Sequence, residues 1–392
     1  MVTFALTTSD ILEFILSSIG IGYYFWTKIK GHKFRTRLDE YFCLLFFGII
    51  FGLSVVFLNL IRFNQDRYSD LMALLIFGPW MIMPLYTAGA TFVAKVIGVF
   101  PIFNANRDRY IAQIQDPNIG MSHFHFKTPQ TNNEINPENQ QKITAKLDLR
   151  RKGMHMFFSI MIFSITLIAA ELTRLLQPFI TDQNFLSMFW EIQETFYFLN
   201  LWTHPNQTYM IGRLHLPLFF TGYIGTVISM WLDMLRFSDR WWIPARNTVL
   251  HFSRKKELDR MPSFVPFFLA ICFVSVFLPP IPIFGIMIVM IFADAAASQF
   301  GIRFGRHHIP WIPKKTWEGT IAGTIVALLS IIFVGWIWGL IAMGIFLLID
   351  LVTDHPIEIS DNILIPTILC IIFLILEIYG FHYAIPYWLV TI

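Results

Sequence analysis

The chain has 392 residues, 55% of them hydrophobic and only 14% charged, with a mean hydropathy of +0.58. A soluble globule carries about 25% charged residues, so that class is excluded and a polytopic membrane protein is expected. The net charge of +3 says little by itself, whereas the placement of the cations says a great deal.

Apolar runs fall near 4–27, 41–61, 71–99, 154–172, 216–235, 262–278, 281–300, 319–335, 337–353 and 362–378. Each is long enough, or nearly so, for a helix of about 17 to 25 residues across the hydrocarbon. The expected fold is all-α, a transmembrane helical bundle of about ten spans. The first run carries Asp10 and Glu13 and lacks a basic flank, so it is read as a retained anchor rather than a cleaved signal. Residues 1–100 then form a three-helix membrane module. Residues 101–146 form a polar cytoplasmic linker rich in Asn, Gln and Pro, with His123 and His125 in an HFHF alternation that reads as surface rather than metal site. Residues 147–392 supply a seven-helix module. Within it, 173–215 suits an interfacial helix and contains the sequon Asn206, Gln207, Thr208. Cys43, Cys272 and Cys370 lie in predicted spans at unrelated spacings and read as small apolar fillers.

Alternating the loops assigns 25 of the 29 Lys and Arg residues to one side, leaving Arg62, Arg67, Arg174 and Arg213 on the other. That asymmetry places the basic loops in the cytoplasm and the N-terminus outside. No Lys or Arg follows Lys315, yet Asp350, Asp354, Glu358 and Asp361 gather in the next loop on the same face. Acids at the ends of the last helices therefore oppose cations from earlier loops, as a metal and a polyphosphate would require.

Four polar patches recur at predicted cytoplasmic helix ends. Arg150, Arg151, Lys152 and His155 precede the fourth span, with Arg151 and His155 on one helical face. Arg236, Asp239, Arg240, Trp241, Trp242 and Arg246 read as an interfacial belt, with a charged nucleotide entrance as the alternative. The richest patch holds Asp294, Ser298, Gly301, Arg303, Gly305, Arg306, Lys314, Lys315, Thr316, Glu318 and Gly319. An ionised Asp near the bilayer centre costs about 2.5 to 3.5 kcal/mol on insertion scales, so Asp294 needs a cation or a metal ion. Gly301 and Gly305 allow close backbone approach, Arg306 and Lys315 supply charge for phosphates, and Thr316 is placed to cap the helix that opens near Glu318. In the fourth patch, Asp361 either caps the last span, with Pro366 in its first turn, or joins Asn362 as a hard-cation ligand.

Together these segments resemble the polyprenol kinase family, the membrane enzymes that include dolichol, phytol and CTP-dependent diacylglycerol kinases. The resemblance rests on RRKGMH at 150–155, DAAASQFGIRFGR at 294–306, KKTWEGTIAG at 314–323 and DNILIP at 361–366. The related CDP-diglyceride synthases share the middle section, and KKTWEG is closer to theirs. Their C-terminal signature K-D-x-x-x-x-x-P-G-H-G-G-x-x-D-R has no counterpart after residue 320. The resemblance implies an enzyme that moves the γ-phosphate of CTP, or another nucleoside triphosphate, to a lipid alcohol, with Mg²⁺ or another divalent cation and with no nucleic acid among its partners. Asp294, Asp361 and Asn362 would hold the metal. Arg151, Lys152, Ser298, Gly301, Arg303, Gly305, Arg306, Lys314, Lys315, Thr316 and Gly319 would line the nucleotide, and Asp350 or His155 would handle the hydroxyl proton. The runner-up is a phosphatidate cytidylyltransferase; a transporter or lipid-binding scaffold is the alternative outside catalysis. The oligomeric state stays open.

Overall fold

The computed structural model describes residues 15, 17–22, 45, 47–49, 51–52, 77–80, 137–176, 208–237, 262–353 and 360–383. The chain divides into two compact units, one of residues 1–36, 51–132 and 224–265, the other of residues 37–50, 133–223 and 266–392. The expected spans at 4–27, 41–61 and 71–99, the 101–146 linker up to residue 136 and most of the 173–215 segment lie largely outside the described residues.

Among the described residues, the remaining seven expected spans are covered by nine helices. In chain order they are α1 (Pro137–Leu176), α2 (Thr208–Phe237), α3 (Phe264–Phe277), α4 (Pro280–Ile288), α5 (Asp294–Phe304), α6 (Trp317–Ala327), α7 (Ile331–Val334), α8 (Trp336–Asp350) and α9 (Asp361–Ile378). A π-helical turn, Val289–Ala293, joins α4 to α5, and a 3₁₀ turn, Leu328–Ser330, joins α6 to α7. Asp148–Ile168, Pro280–Phe304, Trp317–Val334 and Asp361–Ile378 are long and apolar enough to cross a membrane. The chain is an integral membrane protein on that ground.

The all-α expectation needs one correction. Between α5 and α6 lies a small antiparallel hairpin, β1 (His308–Ile309) and β2 (Ile312–Thr316), with an irregularity between His308 and Ile309. A turn centred on Pro310 and Trp311 reverses the chain, and the strands are too short to give an alternating pattern.

Helix association in lipid gains little from burying apolar surface, so close packing by small residues takes over. Ala297 and Gly301 on α5 face Gly319 and Gly323 on α6, and Gly305, just past the end of α5, lies against Thr316. A Cβ added to Gly319 would lie 2.5 Å from the Ala297 carbonyl oxygen and 2.9 Å from Gly301 Cα. Outside this seam, Ile321, Ile325, Leu329 and Ile332 form an exposed stripe down α6 and α7, as a lipid-facing surface should. The core of the second unit gathers Phe267, Phe284, Trp338, Phe346 and Phe373.

Gly335 alone links α7 to α8. Its φ of 79° is open to glycine without strain, and it reverses the chain in one residue. Helices α6 and α8 are therefore antiparallel, with the start of α6 beside the end of α8, where Thr320 reaches Asp350. The start of α8 lies by the end of α9, where the Trp338 indole donates to the Phe381 carbonyl at 2.9 Å. The end of α5, the hairpin, the start of α6, the end of α8 and the start of α9 thus share one end of the bundle.

Candidate functional site

Two polar networks occupy that end. The first joins α1 to α5. Lys152 and Asp294 form an ion pair in which the lysine is 2% and the aspartate 14% exposed. The cation that an acid within a span requires is therefore a lysine from a helix more than a hundred residues away in sequence. The π turn ends immediately before Asp294, and such turns re-aim the residues that follow them.

One turn along, Asp148 receives the Arg151 guanidinium at 3.2 Å and the Gln299 amide at 3.1 Å, and the Ser298 hydroxyl donates to its Oδ2. Asp148, Gln299 and their partnership were not legible as a site. The only trace of Asp148 is its spacing of three and four residues from Arg151 and Lys152.

The second network locks the hairpin to α8. Lys315 donates to the Asp350 carbonyl and Oδ1, both at 2.7 Å, and to the Thr353 hydroxyl at 2.6 Å. An ammonium has three protons, and all three are used. Thr320 donates to Asp350 Oδ2 at 2.6 Å, so both carboxylate oxygens are engaged. The Trp311 indole adds a bond to the Leu351 carbonyl at 2.8 Å. Opposition between late acids and earlier cations is realised here as direct contact.

Thr316 caps α6 as expected, its hydroxyl accepting from the Gly319 amide at 3.3 Å. Glu318 secures the loop before it, accepting from the His307 amide at 3.2 and 3.3 Å and meeting His307 Nδ1 at 2.6 Å.

At Gly301, Gly305 and Gly319, expected to allow close backbone approach, an added Cβ would meet α5, α6 or Thr316. Lys315 bonds Asp350 and Thr353. Arg151 and Lys152 neutralise Asp148 and Asp294. His155 is buried and stacks on Phe267 with ring centroids 5.1 Å apart, one turn deeper than Lys152. Arg303, Arg306 and Lys314 are exposed, and their charged ends make no ion pair among the described residues. They are exposed cations of the described part of this end.

Asp361 is the first residue of α9, after Ser360 at the N-cap, and its Oδ1 accepts from the Asn362 amide at 3.0 Å. Asn362 is buried. Pro366 lies in the second turn, inside the helix rather than in its first turn. Among the described residues no three His, Cys, Asp or Glu side chains converge as a metal cage.

No curated protein and no solved structure matches the chain at a significant level. The family model of the cytidylyltransferases does match, over residues 147–381, which takes in both networks, the hairpin and the start of α9. The polyprenol kinase family, which the motifs at 150–155 and 361–366 resemble, is not the one matched. By that match over more than half its length, the chain belongs to the cytidylyltransferase family.

Proposed function

We propose that the protein moves a cytidylyl group from CTP to the phosphate of a membrane lipid, at the bundle end bearing Arg303, Arg306 and Lys314. One observation carries the choice of acceptor. Asp350 is held through both oxygens by Lys315 and Thr320, and His155 is buried against Phe267, so neither stands ready to take a proton. An alcohol acceptor needs such a base. A phosphate monoester, whose second ionisation lies near pH 6, arrives already ionised and needs none.

In this reading a lipid phosphate oxygen attacks the α-phosphorus of CTP. The bond from that phosphorus to the bridging oxygen breaks, and pyrophosphate leaves as the new diphosphate linkage forms. Arg303, Arg306 and Lys314 would bind the triphosphate and offset the charge that builds on the leaving group. Lys315, held by Asp350, would fix the hairpin that presents Lys314. A divalent cation would neutralise phosphate charge and orient the nucleotide. Asp294, and Asp361 with Asn362, offer it one carboxylate at a time, which fits a hard cation delivered with its triphosphate rather than a preformed cage. The cation asymmetry of the loops supports a cytoplasmic location for this end.

A second reading, transfer of the γ-phosphate of CTP to a lipid alcohol, is favoured by DNILIP at the start of α9 and by the missing C-terminal synthase signature. Purified protein given CTP labelled at the α or the γ position, with phosphatidate or with polyprenols and diacylglycerol, separates the two. The proposal expects α-label in lipid and pyrophosphate in solution. Gamma label in lipid with release of CDP would establish the kinase instead.

A further inference from the structure

We infer that Asp148 is a positioning residue of this site, setting the register of α1 against α5 and the orientation of Ser298. The inference rests on the transferase reading above for its kinetic test alone. Asp148 is 6% exposed, and a buried carboxylate is tolerated only when paired and fully hydrogen-bonded. Its two oxygens divide the work: Oδ1 takes Arg151 from its own helix, and Oδ2 takes Ser298 and Gln299 from α5.

The neighbouring bridge shows what this achieves. Asp148 and Lys152 are one turn apart on α1, as are Ser298 and Asp294 on α5, and the helices run antiparallel, so the two bridges stack about 6 Å apart. Slipping the helices by one turn one way sets Asp148 against Asp294, two carboxylates face to face. Slipping the other way sets Lys152 against Ser298 and leaves Asp294 opposite Met156. Either misregistration strands a charge away from water, so only the observed register satisfies all four charged groups. Apolar packing discriminates between registers less sharply, because a slipped apolar contact can be replaced by another whereas a stranded buried charge cannot.

Because the Ser298 hydrogen goes to Asp148, its oxygen lone pairs are left to face elsewhere as acceptors. Ser298 sits one turn closer to the bundle end than Asp294. Asp148 thereby acts through two residues of α5 without itself meeting a ligand.

The test compares Asp148→Asn, Asp148→Glu, Ser298→Ala and the Asp148→Asn/Ser298→Ala double variant in detergent-purified full-length protein, measuring kcat and KM for CTP. Loss of a charged hydrogen-bond network should lower kcat about 10- to 100-fold in Asp148→Asn with KM changed less than about threefold. Asp148→Glu should recover part of that loss. The double variant should be no worse than its weaker parent, because both substitutions break one interaction. A kcat for Asp148→Asn within twofold of wild type, or losses that multiply in the double variant, overturns the inference.

A second measurement is independent of turnover. Spin labels at Phe157→Cys and Phe300→Cys, both exposed positions, report the α1–α5 register in a background without the native cysteines. The interspin distance should shift or broaden in Asp148→Asn, and an unchanged distribution counts against the register role. Should Asp148→Asn fail to fold, Ser298→Ala carries the kinetic test alone, and wild-type kcat in that variant refutes the orientation role. A wild-type protein that transfers neither label defeats the functional proposal and leaves the spin labels to decide on Asp148.

Discussion

Removing Lys152 should cost more stability than any exposed substitution in this protein. The lysine is 2% exposed and its partner Asp294 14%, so Lys152→Met leaves a carboxylate with little water to replace the ammonium. Breaking a buried pair by deleting one partner costs about 3 to 5 kcal/mol. A ceiling comes from neutralising the orphan at pH 7, about 4 kcal/mol for an ordinary carboxylate. The expectation for Lys152→Met is therefore a loss of about 3 to 4 kcal/mol. The Lys152→Met/Asp294→Leu double variant replaces the pair by apolar groups and should recover most of that loss, although it should be catalytically dead. Reversible unfolding in mixed micelles of increasing denaturing detergent measures all three. If Lys152→Met unfolds within about 0.5 kcal/mol of wild type, or if the double variant is no more stable than the single, the buried-pair argument fails.

Other expectations follow from the same geometry. Gly319→Ala pushes a methyl onto the Ala297 carbonyl and Gly301, so it should lower stability by about 1 to 3 kcal/mol, read as a fall in unfolding temperature; an unchanged value would mean the α5–α6 seam is looser than described. Arg306→Ala and Lys314→Ala touch exposed side chains and should leave unfolding unchanged while raising KM for CTP about tenfold each, checked by steady-state kinetics. Asp350→Asn keeps one acceptor for Lys315 while removing the charge of the pair, the acceptor for Thr320 and a potential base, none of which touches the phosphates in this reading, so transfer to a lipid phosphate should retain at least about a tenth of its rate; a loss of 10²-fold or more in protein of unchanged stability would point to general-base chemistry at this position.

The sequence was most readable where one strong physical term acts alone. Hydropathy placed α3 to α9 within a few residues, because a span must exclude polar groups over a fixed thickness. The demand of Asp294 for a cation was legible from its burial in an apolar run, as was the Thr316 cap from its position before a helix. What supplied the cation was not, since pairing Lys152 with Asp294 requires knowing which helices pack. Asp148 escaped notice for the same reason: beside Arg150, Arg151 and Lys152 it reads as one more solvated charge at a helix end. The glycines of α5 and α6 were ambiguous because close approach serves a phosphate and a neighbouring helix equally well, and the contacts around Gly319 add the helix packing that the sequence left open. The kinase-like motif at residues 361–366 lies inside the cytidylyltransferase match over 147–381, so short motifs alone favoured the narrower and less well supported family.

The single-residue link at Gly335 carries a consequence for biogenesis. Two apolar helical segments joined by a single residue are expected to enter the bilayer together, since no loop lets one wait for the other. Their two free ends then emerge side by side on the face of departure, and those ends bear Lys315 and Asp350. Half of the site is therefore brought together by insertion itself, before any other helix has docked.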